Sequence, residues 1–195
     1  MQTKLIFVRH AHSTHTSDEL GRTLSSKGFS DAAIISEMFK EESIDVVISS
    51  PYKRAIQTVE GIAEFFDMGV VIDLGFKERK LSDQPVEDFD AAIRDVWENP
   101  TFSWDGGESN EVAQQRGVKA TLNVLDLYKG KTIIVGTHGN IMALIMNYFD
   151  DRYDFGFWNN LAMPDAYRMT FENEKLLEVN RLWNEFGFKS CNGGR

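Results

Sequence analysis

The chain has one cysteine, Cys191, in 195 residues. A lone thiol has no partner within the chain, which excludes a disulfide scaffold and fits a reducing compartment. Basic residues are in the minority, 21 Lys and Arg against 30 Asp and Glu, for a formal net charge of −9. Such a surface repels nucleic acid and anionic membrane at long range, so neither is an expected partner. Any anion site must be built locally, from a few placed arginines. Long apolar runs are missing too. Leu5–Val8 is far too short for a signal peptide or a membrane span, and no later segment reaches the ~18 apolar residues a span requires. The expected location is cytoplasmic. There is no internal repeat, low-complexity tract or linker. What is present, 42% apolar and 26% charged residues, is ordinary for a globular protein. The length suits one domain with a full core and is short for two.

Periodicity places the elements. Lys4–Val8, Asp45–Ser49, Val70–Ile72 and Thr132–Gly136 read as short buried strands. A helix is predicted from an N-cap at Ser25 or Ser26 to about Glu42, with Phe29, Ala32, Ile35 and Phe39 inward. A second follows Pro51 and buries Ala55, Ile56, Val59, Ile62, Ala63 and Phe66. Further helices are predicted around Val86–Glu98, over Asn110–Tyr128 with Val112, Val118, Leu122 and Leu125 inward, and over Ile141–Tyr148. The period-2 stretches "YRMTF" and "KLLEVNRLW" predict an antiparallel hairpin across Asn173-Glu174. Strands alternating with helices predict an α/β fold, a mostly parallel central sheet with helices on both faces. Residues 1–189 read as one domain, with 79–107 an insertion capping the carboxyl ends of the strands and 190–195 a flexible tail.

Ligands of open α/β sheets bind at those carboxyl ends. The first strand ends in Arg9-His10, the second reaches Arg54 within one turn, and a later one ends in Thr137-His138-Gly139. In "RHAHSTH", the spacing of His10, His12 and His15 resembles the H-x-H-x-D-H motif of metallo-β-lactamase-like hydrolases. Thr14 stands where that motif has its aspartate, and only His138 remains as a further histidine. Arg9 adds a positive charge that a cation site does not want. The expectation is no metal and no cofactor. The other reading is nucleophilic: a neutral imidazole attacks a phosphoryl group and becomes a phosphohistidine. That group spreads negative charge over three oxygens, which Arg9, Arg54 and the amides after His138 can meet. A positive surround would hold His10 neutral. The leaving alkoxide needs a proton, for which Glu78 is the first candidate, Glu108 the second and Asp83 the third.

Five segments in this order, "VRHAHST", "SSPYKRAIQT", "FKERKLSD", "DGGES" and "GTHGN", resemble the histidine phosphatase superfamily across residues 4–145. This is the fold of cofactor-dependent phosphoglycerate mutases and many small phosphatases. The resemblance implies His10 as phosphorylated nucleophile, Arg9, Arg54, His138 and Gly139 around the phosphate, and no metal. It gives Glu78 two roles, proton donor and then the base that activates water. The sequence departs from the family twice. Ala11 replaces the glycine of R-H-G; its β-carbon narrows the space beside the nucleophile, but it removes no chemical group and is expected to be tolerated. Thr16 stands where some members carry a phosphate-lining asparagine, so either its hydroxyl substitutes or the contact is lost. His12 and His15 read as spectators, Lys53, Lys77 and Arg79 as solvated charges, and Trp97, Phe102 and Trp104 as pins holding the insertion to the body.

The expected activity is metal-independent hydrolysis of a small phosphorylated metabolite. A phosphoglycerate mutase is the alternative within the same chemistry, though mutases tend to carry longer insertions that exclude water. A catalytically inactive phosphoryl-binding domain is the alternative of another class. Its mark would be a missing nucleophile, arginine or second histidine, and all are present. The tail hairpin or the aromatic insertion offers a surface for a homodimer.

Overall fold

Along β1 (Gln2–Arg9), Leu5 and Phe7 point to one side and Ile6 and Val8 to the other, and all four are fully buried. Only a strand covered on both faces accommodates such a run. The computed structural model, which describes residues 1–183, places β1 inside a six-stranded sheet. The expected tail at 190–195, with Cys191, lies outside the described residues. With β2 (Val46–Ser49), β3 (Val70–Ile72), β4 (Thr132–Thr137), β5 (Asp165–Glu172) and β6 (Lys175–Arg181), the order is β3-β2-β4-β1-β5-β6. The first four strands in that order run parallel, whereas β5 pairs antiparallel with β1 and with β6. The hairpin turns at Asn173, which adopts φ 55°, a conformation asparagine tolerates well.

Helices α1 (Ser26–Met38) and α2 (Lys53–Phe65) cover one face, packing Ile35, Met38, Val59 and Ile62 on Ile6, Val8, Val47 and Ile134. Helices α4 (Asn110–Leu127) and α5 (Gly139–Phe149) cover the other, with Val124, Leu125, Ile141 and Ile145 against Leu5, Phe7, Ile133 and Val135. Each fully buried side chain of this size contributes about 1.5–3 kcal/mol by leaving water. Two inward expectations fail. Phe29 and Val112 are exposed, because the buried stripes run instead through Gly28, Ala32 and Ile35 and through Ala113, Gly117 and Val124. One step along a helix rotates a side chain by about 100°, enough to move it off the stripe.

In the 79–107 segment, α3 (Phe89–Glu98) starts where the Asp88 carboxylate accepts from Ala91 N. Trp97 Nε1 donates to Asn140 Oδ1 at 3.1 Å and Trp104 Nε1 to the Ala92 carbonyl at 3.3 Å. Trp97 also packs against the core, and Phe102 meets Trp104 edge to face. Pattern reading missed two short elements, the 3-10 turn at Leu74–Phe76 and α6 (Phe155–Asn159). Both are too short to show a period.

Candidate active site

The register of the sheet carries the chemistry to one end. Arg9, last in β1, lies between Thr137 of β4 and Asp165 of β5, and His10 N donates to the Thr137 carbonyl at 2.9 Å. His138 follows β4 as the N-cap of α5, and Arg54 is the second residue of α2. Thr137 Oγ1 donates to the Phe76 carbonyl at 3.0 Å, tying the segment that leads to Glu78 to the same strand end. A cavity of about 430 Å³ opens there, and Arg9, His10, Arg54, Glu78, Gly139 and Asn140 line it.

His10 is nearly buried, and its Nδ1 lies 2.8 Å from the carbonyl of Ala11. A carbonyl only accepts, so Nδ1 carries the proton and Nε2 keeps its lone pair. Arg54 Nε donates to that Nε2 at 3.2 Å. Burial first, then the charges of Arg54, Arg9 and Arg22, push the His10 pKa down to about 3, against a raising effect of the Ala11 carbonyl. The expected positive surround is there, but desolvation is the larger cause. His138 is fully buried, edge to face with His10 at 5.2 Å, and lies 2.7 Å from Ser50 Oγ through Nε2. Burial also holds it well below the usual histidine range. Tyr52 packs on both the His138 ring, at 4.8 Å, and the Arg54 guanidinium, at 4.7 Å.

Arg9 Nη1 donates to the carbonyls of Leu161 and Ala162 at 2.9 and 3.0 Å, which fixes the plane of its guanidinium. Gly139 lets that group lie close. A Cβ there would stand 2.9 Å from Arg9 Nε. The helix amides expected to face a phosphate are otherwise engaged. Asn140 N and Ile141 N donate to Glu78 Oε2 and Oε1 at 3.2 and 3.0 Å, and Arg79 N adds 2.8 Å to Oε1. The carboxylate thus sits at the N-terminus of α5, where the helix dipole favours an anion.

The other acid candidates are elsewhere. Glu108 forms a bidentate pair with Arg116, at 2.9 and 2.7 Å, and Arg116 also donates to the carbonyls of Gly75 and Lys77. Glu108 therefore braces the segment before Glu78. Asp83 is bound to Lys80 at the surface. Neither lines the cavity. Thr16 does not join the site either. It is exposed and donates to the Asp18 carbonyl at 3.2 Å. The Ala11 methyl packs with Leu24 and Ala32, while Ala11 N donates to Thr58 Oγ1 at 3.0 Å.

Three residues read as bystanders, Arg79, His12 and His15, line the cavity, as does Arg22, which was not singled out. His12 Nδ1 lies 2.7 Å from Ser25 Oγ, the N-cap of α1. Among the described residues, no group of three or more His, Cys, Asp or Glu is arranged to hold a metal ion. Arg79 is 4% exposed, so it is not a solvated charge. Its burial had no signal in the sequence beyond adjacency to Glu78. Five buried nitrogens of cavity-lining residues lack a partner: Arg9 Nε, Arg22 Nε, Arg79 Nε and Nη1, and Asn140 Nδ2. All are donors, so the site suits a ligand rich in acceptor oxygens.

The chain and its fold resemble known proteins. The family model of the histidine phosphatase superfamily, branch 1, matches residues 5–185. Phosphoserine phosphatase 1 of Hydrogenobacter thermophilus is 31% identical over 151 residues, 69% of this chain and 70% of that protein. The fold superposes on a mutant phosphoserine phosphatase from Entamoeba histolytica solved with phosphoserine, with a TM-score of 0.74 and 19% identity over 91% of this chain and 96% of that one. Mycobacterial glucosyl-3-phosphoglycerate phosphatase gives a TM-score of 0.74 at 16% identity, covering 93% and 97% of the two chains. No helix among the described residues is long and apolar enough to cross a membrane. The chain belongs to branch 1 of the histidine phosphatase superfamily and is a phosphoric monoester hydrolase.

Proposed function

We propose that the enzyme hydrolyses small phosphate monoesters bearing a second anionic group, through a covalent phosphohistidine on His10. The observation that carries this reading is the state of the His10 ring: buried, neutral, protonated on Nδ1, with its Nε2 lone pair held by Arg54 at the cavity wall. The phosphoryl oxygens would accept from Arg9, Arg22 and Arg54, drawing Arg54 Nε away from His10 Nε2. That lone pair forms the P–N bond as the ester P–O bond breaks. The leaving alkoxide takes a proton from Glu78, which enters this step as the neutral acid, the form regenerated at the end of each turnover. Oε2, with its single and longer amide contact, is the oxygen placed to hold that proton. The carboxylate then takes a proton from water as the water attacks phosphorus, the P–N bond breaks, and inorganic phosphate leaves. His138 does not itself line the cavity; fully buried, packed on His10 and reached by Ser50, it would support the phosphate pocket from behind the His10 ring.

Arg79 carries the second half of the reading. It is buried at the cavity wall with two unpartnered nitrogens, next to Leu81, Phe89 and Ile93 of the 79–107 cap. A substrate carboxylate would meet it as a charge-assisted pair. The names of the similar phosphatases, phosphoserine and glucosyl-3-phosphoglycerate, fit this class. Phosphate release should be faster from phosphoserine than from phosphoethanolamine, which lacks the carboxylate. Arg79→Ala should lower kcat/KM for phosphoserine by about thirtyfold and leave phosphoethanolamine nearly untouched, the size of one lost charge-assisted contact. Equal losses on both substrates would contradict the assignment. Conversion of 3- to 2-phosphoglycerate outpacing phosphate release would favour the mutase alternative.

A further inference from the structure

The 11–24 loop places a carboxylate on the arginines assigned to the phosphoryl group. Glu19 Oε1 accepts from Arg22 Nη1 at 2.9 Å, and Glu19 Oε2 lies 3.3 Å from Arg54 Nη2. Glu19, Arg22 and Arg54 all line the cavity that holds His10. The two arginine side chains are 17% and 3% exposed, whereas that of Glu19 is 54% exposed. The bridging carboxylate is thus the solvent-exposed partner of two largely buried cations. It is not needed to hold Arg54. The backbone carbonyl of Glu19 accepts from Arg54 Nη1 at 2.7 Å, Arg54 Nε reaches His10, and the Tyr52 ring stacks on the guanidinium. A carboxylate offers two anionic oxygens to two guanidiniums, as a phosphoryl group would.

We propose that Glu19 is an internal counter-ion that competes with phosphate for Arg22 and Arg54, set aside when substrate binds and restored as product leaves. The proposal rests on the reading that the phosphoryl group binds at these arginines. Its consequence is directional. Removing the charge should tighten every phosphate-bearing ligand, and product most visibly, because inorganic phosphate has no second group to anchor it. Releasing product without the returning carboxylate should be slower. A residue that merely positioned Arg54 would give the opposite sign.

The test is product inhibition by inorganic phosphate in the full-length enzyme carrying Glu19→Gln, with Asp18→Asn as the control for bulk charge. Asp18 accepts from Gly21 N through Oδ1, a bond that an asparagine keeps. Glu19→Gln should lower the Ki of phosphate about fivefold, the scale of an exposed carboxylate's ion pairs, and should lower kcat and KM together. Asp18→Asn should change Ki by less than twofold. Glu19→Asp, too short to bridge both arginines, should follow Glu19→Gln, which guards against an artefact of the amide. A Ki within twofold of the parent, a raised Ki, or the same gain in Asp18→Asn overturns the proposal. Loss of all turnover and of phosphate binding in the parent enzyme would instead overturn the underlying reading.

Discussion

His10 is kept neutral mainly by burial, and that has a price in acid. Its pKa of about 3 in the fold lies below the ordinary 6.5, so between these values the unfolded chain binds the extra proton and the folded one does not. Stability therefore rises with pH across that window and is lost as pH falls through it. His138 is shifted in the same direction. Thermal unfolding should show Tm falling from pH 6.5 towards 4, and His10→Asn should flatten that slope; an unchanged slope would mean the ring is not held neutral. Glu78 and Glu108 separate as cleanly. Glu78→Gln should reduce kcat by about 10²–10³, whereas Glu108→Gln, which breaks the Arg116 clamp, should cost about 2 kcal/mol of stability with less than a tenfold loss of kcat. The reverse pattern would transfer the acid role to Glu108. The residues that could be read in the sequence, Arg9, His10, Arg54 and His138, sit at strand ends or helix starts, where local pattern fixes direction. Arg22 and Arg79 could not, because only the tertiary wrap of the 11–24 loop and the cap turns them inward.

Helix α1 and the 11–24 loop approach each other closely at Gly28. A Cβ on Gly28 would lie 2.0 Å from the carbonyl oxygen of His12, which also accepts from Ser25 N at 3.0 Å. Gly28→Ala must part helix and loop, at an expected cost of about 1–3 kcal/mol and with reduced kcat/KM, since the same loop carries His12, Glu19 and Arg22 to the cavity. Phe29→Ser, one position along but exposed, should change stability by less than about 0.5 kcal/mol. Denaturant unfolding of the pair decides which residue carries the contact, and equal losses would restore the inward reading of Phe29. Element type was legible throughout the long segments because strand and helix periods differ so plainly. The error at Phe29 arose because a glycine and an alanine, at positions 28 and 32, form the true contact stripe. Small residues that permit close packing carry almost no hydropathy signal.

At the level of the molecule, parallel order β3-β2-β4-β1 brings three strand ends to one rim, and the antiparallel β5 adds Asp165 beside Arg9. That alternation of strand and helix was readable from the chain, as was the final hairpin. The detailed anion geometry was not, since it depends on which donors remain after Glu78 has taken two helix amides and Arg9 two carbonyls. A covalent phosphohistidine is what separates this chemistry from direct attack by water. Enzyme mixed with radiolabelled phosphoserine in the presence of EDTA and quenched within milliseconds in alkali should retain label that is stable to base and labile to acid, mapping to the peptide that contains His10 and absent from His10→Ala. Rapid phosphate release in EDTA with no such label, or label that persists in His10→Ala, would contradict it.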